Sequence, residues 1–486
     1  MEFKQRINVS GYRGIWGDTL TKEVVTLYTR AFVTFLKTKK ENPTVLIGRD
    51  GRESGPEIRE VILEELKNLG IEAVDGDIMP TPTVLFSVRK HGYTGAIIIT
   101  ASHNPIEYNG LKFINDKALF TINEEVQEIN KYYEEEIKKF ERDGLKREFV
   151  ASGTLSQRDG ARREIFQQEN IRGDRSNEPS ENLTTTPPNF TKEHADKILE
   201  NINVEAIRAK RFKVAVDMIN ASACVMDPYL FEQLRVEVFP LNNIPNGKFG
   251  HRPEPLRENL GDIERLVIEK GADVGFVHDP DADRLVVVSD KGIVESEENS
   301  IALVIENILS KNPGKPIVLN LSTSQRGTDV AKKYGSETFR TKIGEGFVVD
   351  GMLAHNAIVG GEGNGGIIYP TINTVRDSFT GLALILELMA ERNKTISELM
   401  HELPVYIIKK DKWPLGGDLN QMYIKLKKHF KDATYDEQDG LRLDLPDSSW
   451  LHLRPSNTEP IIKLFGEAKT QERIDELFEE AKKVIV

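Results

Sequence analysis

The sequence predicts an α/β fold with three similar doubly wound units followed by a smaller α+β unit. The chain has 486 residues, and at roughly 100–200 residues per domain this length suggests three or four domains. Helix-like and strand-like segments alternate through most of the chain, whereas short strands predominate near its end. Alternation of this kind is typical of sheets covered by helices on both faces.

The first unit shows the alternation most clearly. Apolar residues at helical spacing predict a helix over 21–38, and a second helix over 57–69 is stopped by Gly70. Short β-rich runs predict strands over 44–48 and 95–100. The second of these runs enters a polar turn, which places that turn at the carboxyl end of a strand.

The alternation recurs twice, without an exact sequence repeat. The second unit is predicted to contain strands over 213–218, 236–241 and 273–277 and helices over 223–234 and 262–270. The third is predicted to contain strands over 316–321 and 357–360 and helices over 299–310 and 378–391. The final unit is predicted to contain strands over 404–412, 441–445, 450–453 and 460–466 and helices over 418–430 and 471–484.

These segments predict four domains and one insertion. The predicted ranges are 1–150, 191–295, 296–403 and 404–486 for the domains and 151–190 for the insertion. The insertion is rich in Ser, Asn, Gln, Arg and Glu and has poor apolar periodicity, so it is interpreted as a linker or flexible segment without chemistry of its own.

Charge and composition exclude several classes of function. The net charge of −12 argues against a protein that coats nucleic acid, although a local basic pocket for a small anion remains compatible with it. The single cysteine, Cys224, excludes an intramolecular disulfide and a cysteine metal site. Without a signal-like start or a long apolar run, a cytoplasmic protein that does not enter membranes is expected. Monomer and homodimer remain equally open.

Two polar loops that follow predicted strands could carry chemistry. In TASHNP at 100–105, Ser102 could be an activated nucleophile or phosphate carrier, and His103 could orient it or handle a proton; an ordinary polar turn is the alternative. In DPDADR at 279–284, three carboxylates at alternate positions could converge on one hard cation. An EF-hand is rejected there because Arg284 occupies its glycine position, while a solvated acidic turn stays open.

Two further loops could bind a ligand. The segment GGEGNGG at 360–366 has glycines that allow close approach of the backbone, and Glu362 and Asn364 suit sugar hydroxyl groups. The segment RPSNTEP at 454–460 combines an Arg fork with further donors, which suits a phosphate group. A structural loop is an alternative for each. Other basic residues could join the site or form surface ion pairs: Arg13, Arg49, Arg52, Lys112 and Lys342.

In this order along the chain, the four loops resemble those of the α-D-phosphohexomutase family. They are similar to its phosphoserine loop, its metal loop, its sugar-specificity loop and its phosphate loop, respectively. Pro280 and Asn457 stand where glycine is usual in the family, but neither change removes a charged group. The resemblance spans essentially the whole chain except 151–190. It implies three similar α/β domains and a smaller C-terminal domain around a central cleft into which each domain contributes one loop.

The resemblance also implies roles for individual residues. Ser102 would carry a phosphoryl group, and Mg²⁺ would be held by Ser102 and by the carboxylates of Asp279, Asp281 and Asp283. Arg284 would contact the same phosphoryl group, with Arg13, His103 and Lys112 close by. His103 and Lys112 are candidates for proton transfer. The substrate would be bound by Lys342, Glu362, Asn364, Arg454, Ser456, Asn457 and Thr458.

The implied reaction interconverts a hexose 6-phosphate and a hexose 1-phosphate through a hexose 1,6-bisphosphate, which also serves as activator. A serine is common in the sugar loop of glucose and mannose enzymes and of bacterial glucosamine enzymes. Asn364 replaces it and resembles the asparagine of amino-sugar mutases of other branches, so glucosamine phosphate is the expected substrate. A phosphomannomutase or phosphoglucomutase is the alternative. A metal-dependent sugar phosphatase and a non-catalytic phosphosugar-binding protein are alternatives from other classes.

Overall fold

The structure is a computed structural model, described here for residues 6–153, 188–414, 417–455 and 461–485. It confirms the predicted fold class, because three mixed α/β sheets precede one antiparallel sheet. Among the described residues, no helix combines the length and the apolar character needed to cross a bilayer.

The first sheet has five strands in the order β1-β5-β4-β2-β3. Its strands are β1 (Tyr12–Ile15), β2 (Thr44–Arg49), β3 (Glu72–Ile78), β4 (Gly95–Ile99) and β5 (Tyr108–Ile114). Its helices are α1 (Lys22–Lys37), α2 (Gly55–Asn68), α3 (Thr81–His91) and α4 (Asn123–Gly153). Strands β2, β3 and β4 are parallel, whereas β5 runs antiparallel to β4. The hydroxyl of Thr21 accepts a bond from Val24 N and so caps α1.

The second sheet has the order β7-β6-β8-β9 and the third the order β11-β10-β12-β13. The second unit comprises α5 (Phe190–Leu199), α6 (Val204–Lys210), β6 (Lys213–Asp217), α7 (Asp227–Leu234), β7 (Glu237–Leu241), α8 (Gly261–Lys270), β8 (Val274–His278) and β9 (Leu285–Val288). The third comprises α9 (Glu298–Lys311), β10 (Ile317–Asn320), α10 (Gln325–Lys333), β11 (Thr338–Thr341), α11 (Glu345–His355), β12 (Val359–Glu362), β13 (Gly366–Ile368), α12 (Ser378–Arg392) and α13 (Ile396–Glu402).

The three sheets share one topology, which places one loop of each in the same position. Setting aside β1, each sheet has three parallel strands followed by a fourth that is antiparallel. The serine loop (100–105) joins β4 to β5, the metal loop (279–284) joins β8 to β9, and the sugar loop (360–366) joins β12 to β13. The three loops with candidate functional residues therefore follow the corresponding strand of each sheet, at its carboxyl end.

The fourth sheet is antiparallel, with the order β14-β18-β17-β16-β15. Its elements are β14 (Ile407–Pro414), α14 (Leu419–His429), β15 (Thr434–Asp436), β16 (Leu441–Asp444), β17 (Trp450–Pro455), β18 (Ile461–Ala468) and α15 (Gln471–Ile485). The phosphate loop lies between β17 and β18. Its residues 456–460 are outside the described part of the chain.

The second and third units are joined by one continuous apolar core. It contains buried side chains from both sheets and from α9 and α12, including Phe276, Leu285, Ile301 and Phe379. The first unit and the fourth have cores of their own. Packed interiors deform little, so the metal loop and the sugar loop are held in a fixed relation to each other.

Sequence periodicity located most of the longer elements within a few residues. The predicted helix over 223–234 differs, because Ser222–Val225 is a 3₁₀ helix and α7 begins only at Asp227. The predicted insertion begins inside α4 and ends at the start of α5. Its residues 154–187 lie outside the described residues, so its interpretation as a linker stays a prediction.

Candidate active site

Ser102 lies in the turn after β4, in a backbone conformation that disfavours side chains. Its φ is 51°, in the left-handed region that residues other than glycine seldom adopt. The Thr100 hydroxyl accepts a hydrogen bond of 2.9 Å from Ser102 N. The residue is only 2% exposed. A strained residue at the end of a strand is more typical of a functional position than of a plain turn.

A single buried guanidinium, that of Arg52, holds the serine loop in this shape. The Arg52 side chain is fully buried and is balanced by the equally buried carboxylate of Asp50, with Nε 3.1 Å from Oδ2. Its Nη atoms donate to four carbonyl oxygens, those of Ser102 (2.6 Å), Asn104 (2.8 Å), Pro105 (2.7 Å) and Tyr108 (2.8 Å). All five donors of the fork are therefore used, and Arg52 is a structural residue of the loop rather than a surface charge.

In the metal loop, each carboxylate is held through one of its two oxygens. Asp279 Oδ1 accepts from the backbone N–H groups of Asp283 (3.0 Å) and Arg284 (3.1 Å). Asp281 Oδ2 accepts from Lys112 Nζ (2.6 Å) and Thr81 Oγ1 (2.9 Å). Asp283 Oδ2 accepts from Arg376 Nη2. The second oxygens of Asp281 and Asp283 are buried and accept no hydrogen bond within the described structure.

The three carboxylates together fit a hard divalent cation. One carboxylate oxygen from each of the three aspartates lies within 4.8 Å of the others. Burial, together with Asp283 and Asp281, raises the pKa of Asp279 well above its usual value. Burial also opposes ionisation of Asp281, but the Lys112 ammonium and the Thr81 hydroxyl outweigh it and hold the pKa of Asp281 below its usual value. Oxygen-only ligands with uncompensated charge suit Mg²⁺.

The serine loop and the metal loop meet at the Ser102 hydroxyl. Its Oγ lies 3.5 Å from Asp279 Oδ2 and 3.2 Å from His103 Nδ1. Burial, reinforced by the nearby Arg284 and Arg13, lowers the pKa of His103 to about 2. The imidazole is therefore neutral at ordinary pH and can exchange a hydrogen bond with the serine.

Three further cationic residues surround this point. Lys112, on β5, is buried and pairs with Asp281. Arg13, on β1, donates from Nη1 to Asn104 in the serine loop. Arg284 ends the metal loop and is 9% exposed. The structure thus brings together the residues predicted from the first two loops, and it adds Thr81 from the start of α3.

The sugar loop packs tightly against the metal loop. Leu285 N donates a 3.0 Å bond to Gly365 O, and a Cβ on Gly365 would lie 2.3 Å from Leu285 O in addition to requiring a φ of +88°. A Cβ on Gly363 would lie 1.8 Å from Glu298 Oε1. The close approaches that the glycines permit here are therefore to atoms of the protein.

Glu362 and Asn364 both face the cavity. Glu362 Oε1 accepts from Asn320 Nδ2 (2.8 Å) and Gly344 N (3.1 Å), and its Oε2 accepts from Arg376 Nη1 (2.7 Å). Burial opposes ionisation, yet Arg376 and Asn320 lower the pKa of Glu362. Its carboxylate is thus charged and oriented. Asn364 Oδ1 accepts from Gly366 N (3.2 Å).

The sequence analysis did not single out Arg376. Its guanidinium is paired with three carboxylates, those of Asp283, Glu345 and Glu362. Burial opposes its charge, but these three anions raise the pKa of Arg376 well above its usual value. Arg376 lies just before the helix cap Asp377, in a stretch without a motif. Only the fold brings it to the two loops, so no signal in the sequence marks it.

The loops enclose a cavity of about 440 Å³ between the first three units. Its lining includes the predicted residues Arg13, Ser102, His103, Lys112, Arg284, Glu362 and Asn364. A side wall contributed by α11 and by the segment after β5 adds Phe120, Ile122, Glu124, Ile343, Glu345, Phe347 and Asp350. The size suits a sugar phosphate.

The remaining predicted ligands are not in this cavity or cannot be placed. Lys342 is exposed, with its Nζ 5.6 Å from the centre of the Phe347 ring. Arg454 lines a second cavity of about 370 Å³ together with Tyr423 and Asp439, and its Nη2 is 3.5 Å from Asp439 Oδ1. Ser456, Asn457 and Thr458 lie outside the described residues.

Comparison with protein families accounts for all four units. Residues 4–140, 192–292 and 297–406 match the phosphoglucomutase/phosphomannomutase α/β/α domains I, II and III, respectively. Residues 420–484 match the C-terminal domain of the same family.

Individual proteins show the same relationship over nearly the full length. A phosphoglucomutase/phosphomannomutase of Thermococcus kodakarensis is 33% identical, covering 96% of each chain. A protein of Methanopyrus kandleri named as a probable phosphoglucosamine mutase is 31% identical, covering 97% of this chain and 95% of the relative. The crystal structure of a phosphoglucomutase/phosphomannomutase family protein from Burkholderia thailandensis superimposes with a TM-score of 0.77 at 25% identity, covering 99% of this chain and 98% of the other.

Proposed function

The chain belongs to the phosphoglucomutase/phosphomannomutase family and is a phosphohexomutase, and from this premise we propose that it interconverts glucosamine 6-phosphate and glucosamine 1-phosphate. The observation that carries the catalytic part is the meeting of Ser102 with the aspartate cluster. A buried serine hydroxyl 3.5 Å from a buried carboxylate of that cluster supports its role as the carrier of the phosphoryl group.

In the proposed mechanism, Asp279, Asp281 and Asp283 would hold Mg²⁺ together with Ser102. When bound, the cation would supply charge neutralisation at the transferring phosphoryl group. Arg284 and Arg13 add positive charge around the same phosphoryl oxygens, which disperses the charge that develops in the transition state. His103 stays neutral and orients Ser102 Oγ through a hydrogen bond.

Transfer exchanges one P–O bond for another. A free hydroxyl of the bound sugar attacks the phosphorus atom, the bond from phosphorus to Ser102 Oγ breaks, and the proton of the attacking hydroxyl leaves. Lys112, whose Nζ lies 2.6 Å from Asp281 Oδ2, is the proposed acceptor of this proton, and for this step its ammonium group must first have released a proton to become a neutral amine. The product is a hexose 1,6-bisphosphate, which turns around in the cavity and returns its other phosphoryl group to Ser102.

The phosphate group that is not transferred is proposed to bind Arg454, with Lys342, Ser456, Asn457 and Thr458. Arg454 lines a cavity separate from the one that contains Ser102. The proposal therefore requires the fourth unit to move towards the other three when substrate binds, which would also exclude water from the phosphoserine.

One part of the cavity wall supports an amino sugar over a neutral hexose. Glu124 and Asp350 line the cavity and form no ion pair within the described residues, whereas Glu345 and Glu362 are paired with Arg376. A 2-ammonium group placed beside Glu124 and Asp350 would be attracted to them, whereas a 2-hydroxyl group would gain much less. The cations of the same wall, Arg13, Lys112 and Arg284, suit the phosphate groups instead. A relative named as a phosphoglucosamine mutase supports the same substrate, while the relative named as a phosphoglucomutase/phosphomannomutase supports the alternative.

The test is ³¹P NMR of the full chain with Mg²⁺ and, in separate samples, the 6-phosphates of glucosamine, glucose and mannose. Each sample is primed with the corresponding 1,6-bisphosphate. A 1-phosphate signal that grows fastest with glucosamine supports the proposal. Faster turnover of glucose or mannose 6-phosphate would replace it with the phosphoglucomutase or phosphomannomutase alternative. Release of free phosphate alone would favour a phosphatase, and binding without turnover would favour a phosphosugar-binding protein.

A further inference from the structure

Three consecutive residues of the third unit bind the second unit, and two of them contact its metal loop. Arg376 pairs with the carboxylate of Asp283. Asp377 Oδ2 accepts from His194 Nε2 at 2.9 Å, which fixes the start of α12 to α5. Ser378 Oγ donates to Ala282 O at 2.6 Å. Because Ala282 has a φ of 56°, this bond stabilises a turn that an alanine alone disfavours.

Arg376 determines which oxygen of Asp283 is available to a cation. Its Nη2 bonds to Oδ2, while Oδ1 is buried without a hydrogen bond within the described structure. A guanidinium is planar and presents its N–H groups in fixed directions. As long as the ion pair persists, Oδ2 of Asp283 is occupied, and Oδ1, which lies 3.9 Å from Arg284 Nε, is the oxygen left for a cation.

The same guanidinium orients the acceptor of the sugar loop. Nη1 of Arg376 is 2.7 Å from Oε2 of Glu362, and the other oxygen of Glu362 is held by Asn320 and Gly344. Glu345 completes the set, since its Oε1 accepts from Arg376 N at 2.7 Å. One buried cation therefore divides its charge between a carboxylate of the metal loop and one of the sugar loop.

We propose that Arg376 is a positioning residue that couples cation binding at Asp283 to the state of Glu362. This inference rests on the proposed metal role of Asp283 and the proposed sugar role of Glu362. A sugar hydroxyl that hydrogen-bonds Glu362 alters how strongly Arg376 is drawn to that side, and hence how much of its charge remains on Asp283. The shared apolar core of the second and third units keeps the two loops at a fixed distance, so the effect is not lost in a movement of domains.

The test measures Mn²⁺ affinity of the full chain without sugar, by electron paramagnetic resonance of the free ion. In the native background, Glu362→Gln removes one anionic partner of Arg376, which then neutralises Asp283 more strongly. The dissociation constant of Mn²⁺ is expected to rise about fivefold. The control is Asp350→Asn, which removes a cavity carboxylate that forms no ion pair with Arg376 in the described structure, and for which a change below about twofold is expected.

The decisive comparison is the same substitution in an Arg376→Lys background. Lysine keeps the positive charge but cannot span two carboxylates, so Glu362→Gln should there change the Mn²⁺ dissociation constant by less than about twofold. An equal effect in both backgrounds would show that only the electric field of Glu362 acts, and would overturn the proposal.

If circular dichroism shows that Arg376→Lys does not fold, the two variants in the native background, Glu362→Gln and Asp350→Asn, can still overturn the proposal. An unchanged affinity in Glu362→Gln, or an equal change in Asp350→Asn, also overturns the coupling. Absence of any Mn²⁺ binding to the native chain would overturn it together with the proposed metal site, whereas binding without coupling leaves that site intact. The sugar preference is read separately, from turnover, and does not enter these measurements.

Discussion

The serine loop and the metal loop occupy the same topological position in two similar sheets, yet they are stabilised in opposite ways. In the serine loop, Arg52 satisfies four backbone carbonyl groups, so the loop is complete without a ligand. In the metal loop, one oxygen each of Asp281 and Asp283 is buried without a hydrogen bond within the described residues, and the three carboxylates lie close together. The difference teaches that the proposed phosphoryl carrier is preorganised, while the proposed cation site would be complete only with a bound cation.

The largest expected effect comes from removing the hydroxyl group of the serine loop without disturbing its backbone. Ser102→Ala should lower mutase turnover by at least about 10³-fold, because the covalent carrier is lost. Binding of the sugar phosphate, measured by calorimetry, should change little. Arg52 holds the serine loop through backbone carbonyl groups and not through the Ser102 hydroxyl, so the loop should keep its shape. Turnover near the native rate in Ser102→Ala would exclude Ser102 as the carrier.

The largest effect on the free energy of unfolding is expected when the guanidinium of Arg52 is removed from the serine loop. Arg52→Met leaves Asp50 buried without its partner and four carbonyl groups unsatisfied, which should lower the free energy of unfolding by about 3–5 kcal/mol. Urea unfolding followed by circular dichroism measures it. The matched control is Arg59→Met, whose partly exposed pair with Asp75 should contribute less than about 1 kcal/mol. Equal losses for the two variants would refute the special role of Arg52.

In the metal loop, by contrast, removing a charged group is expected to raise the free energy of unfolding of the metal-free protein. Because its pKa is raised in the folded protein, Asp279 makes the metal-free protein less stable as the pH rises above about 4, the value for an unfolded aspartate. Asp279→Asn should therefore stabilise the metal-free protein at neutral pH by roughly 1–2 kcal/mol. It should also remove most of the stabilisation that Mg²⁺ provides to the native chain. Thermal unfolding with and without Mg²⁺ distinguishes this from a simple loss of structure, in which both melting temperatures would fall.

A buried carboxylate outside both loops calibrates the comparison, and removing it should have the smallest effect on the stabilisation that Mg²⁺ provides. Burial, with Glu297 and Glu467 adding to it, raises the pKa of Glu298 from 4.5 to about 8. The folded state therefore binds this proton more tightly than the unfolded state, and stability falls as the pH rises from the lower value to the higher. Glu298→Gln should remove most of this fall, which a rise of the pKa from 4.5 to about 8 puts at up to about 5 kcal/mol.

The response to Mg²⁺ distinguishes Glu298 from the aspartates of the metal loop. Glu298 is not part of the aspartate cluster, so Mg²⁺ should stabilise Glu298→Gln and the native chain equally. Melting temperatures across the pH range, measured with and without Mg²⁺, give both comparisons. If Mg²⁺ removed the pH dependence of the melting temperature of the native chain completely, the carboxylate responsible for that dependence would belong to the aspartate cluster and would not be Glu298.

The sequence by itself determined the fold class and located the loops that carry the candidate functional residues. Periods of 3.6 and 2 residues located α1, β2 and α12 because a helix or a strand with one buried face imposes its period on the apolar positions. Ser102, the three aspartates and Glu362 were singled out because reactive groups cluster at the ends of strands and in the loops that follow them, where local sequence is informative. Their roles stay predictions. The glycines of the sugar loop were also visible, although only the structure identified Leu285 and Glu298 as the neighbours that require them.

Only the tertiary structure decided which groups meet. Arg52 and Thr81 are separated by long stretches of chain from the loops that they hold, as Arg376 is from the metal loop. Single basic or hydroxyl residues give no signal that distinguishes a buried bond from a surface contact. Their partners depend on how sheets and helices pack, which is a property of the whole core and not of any segment. For the same reason the sequence did not predict that Arg454 lies outside the central cavity. The position of the fourth unit relative to the other three does not follow from the sequence pattern of any one unit.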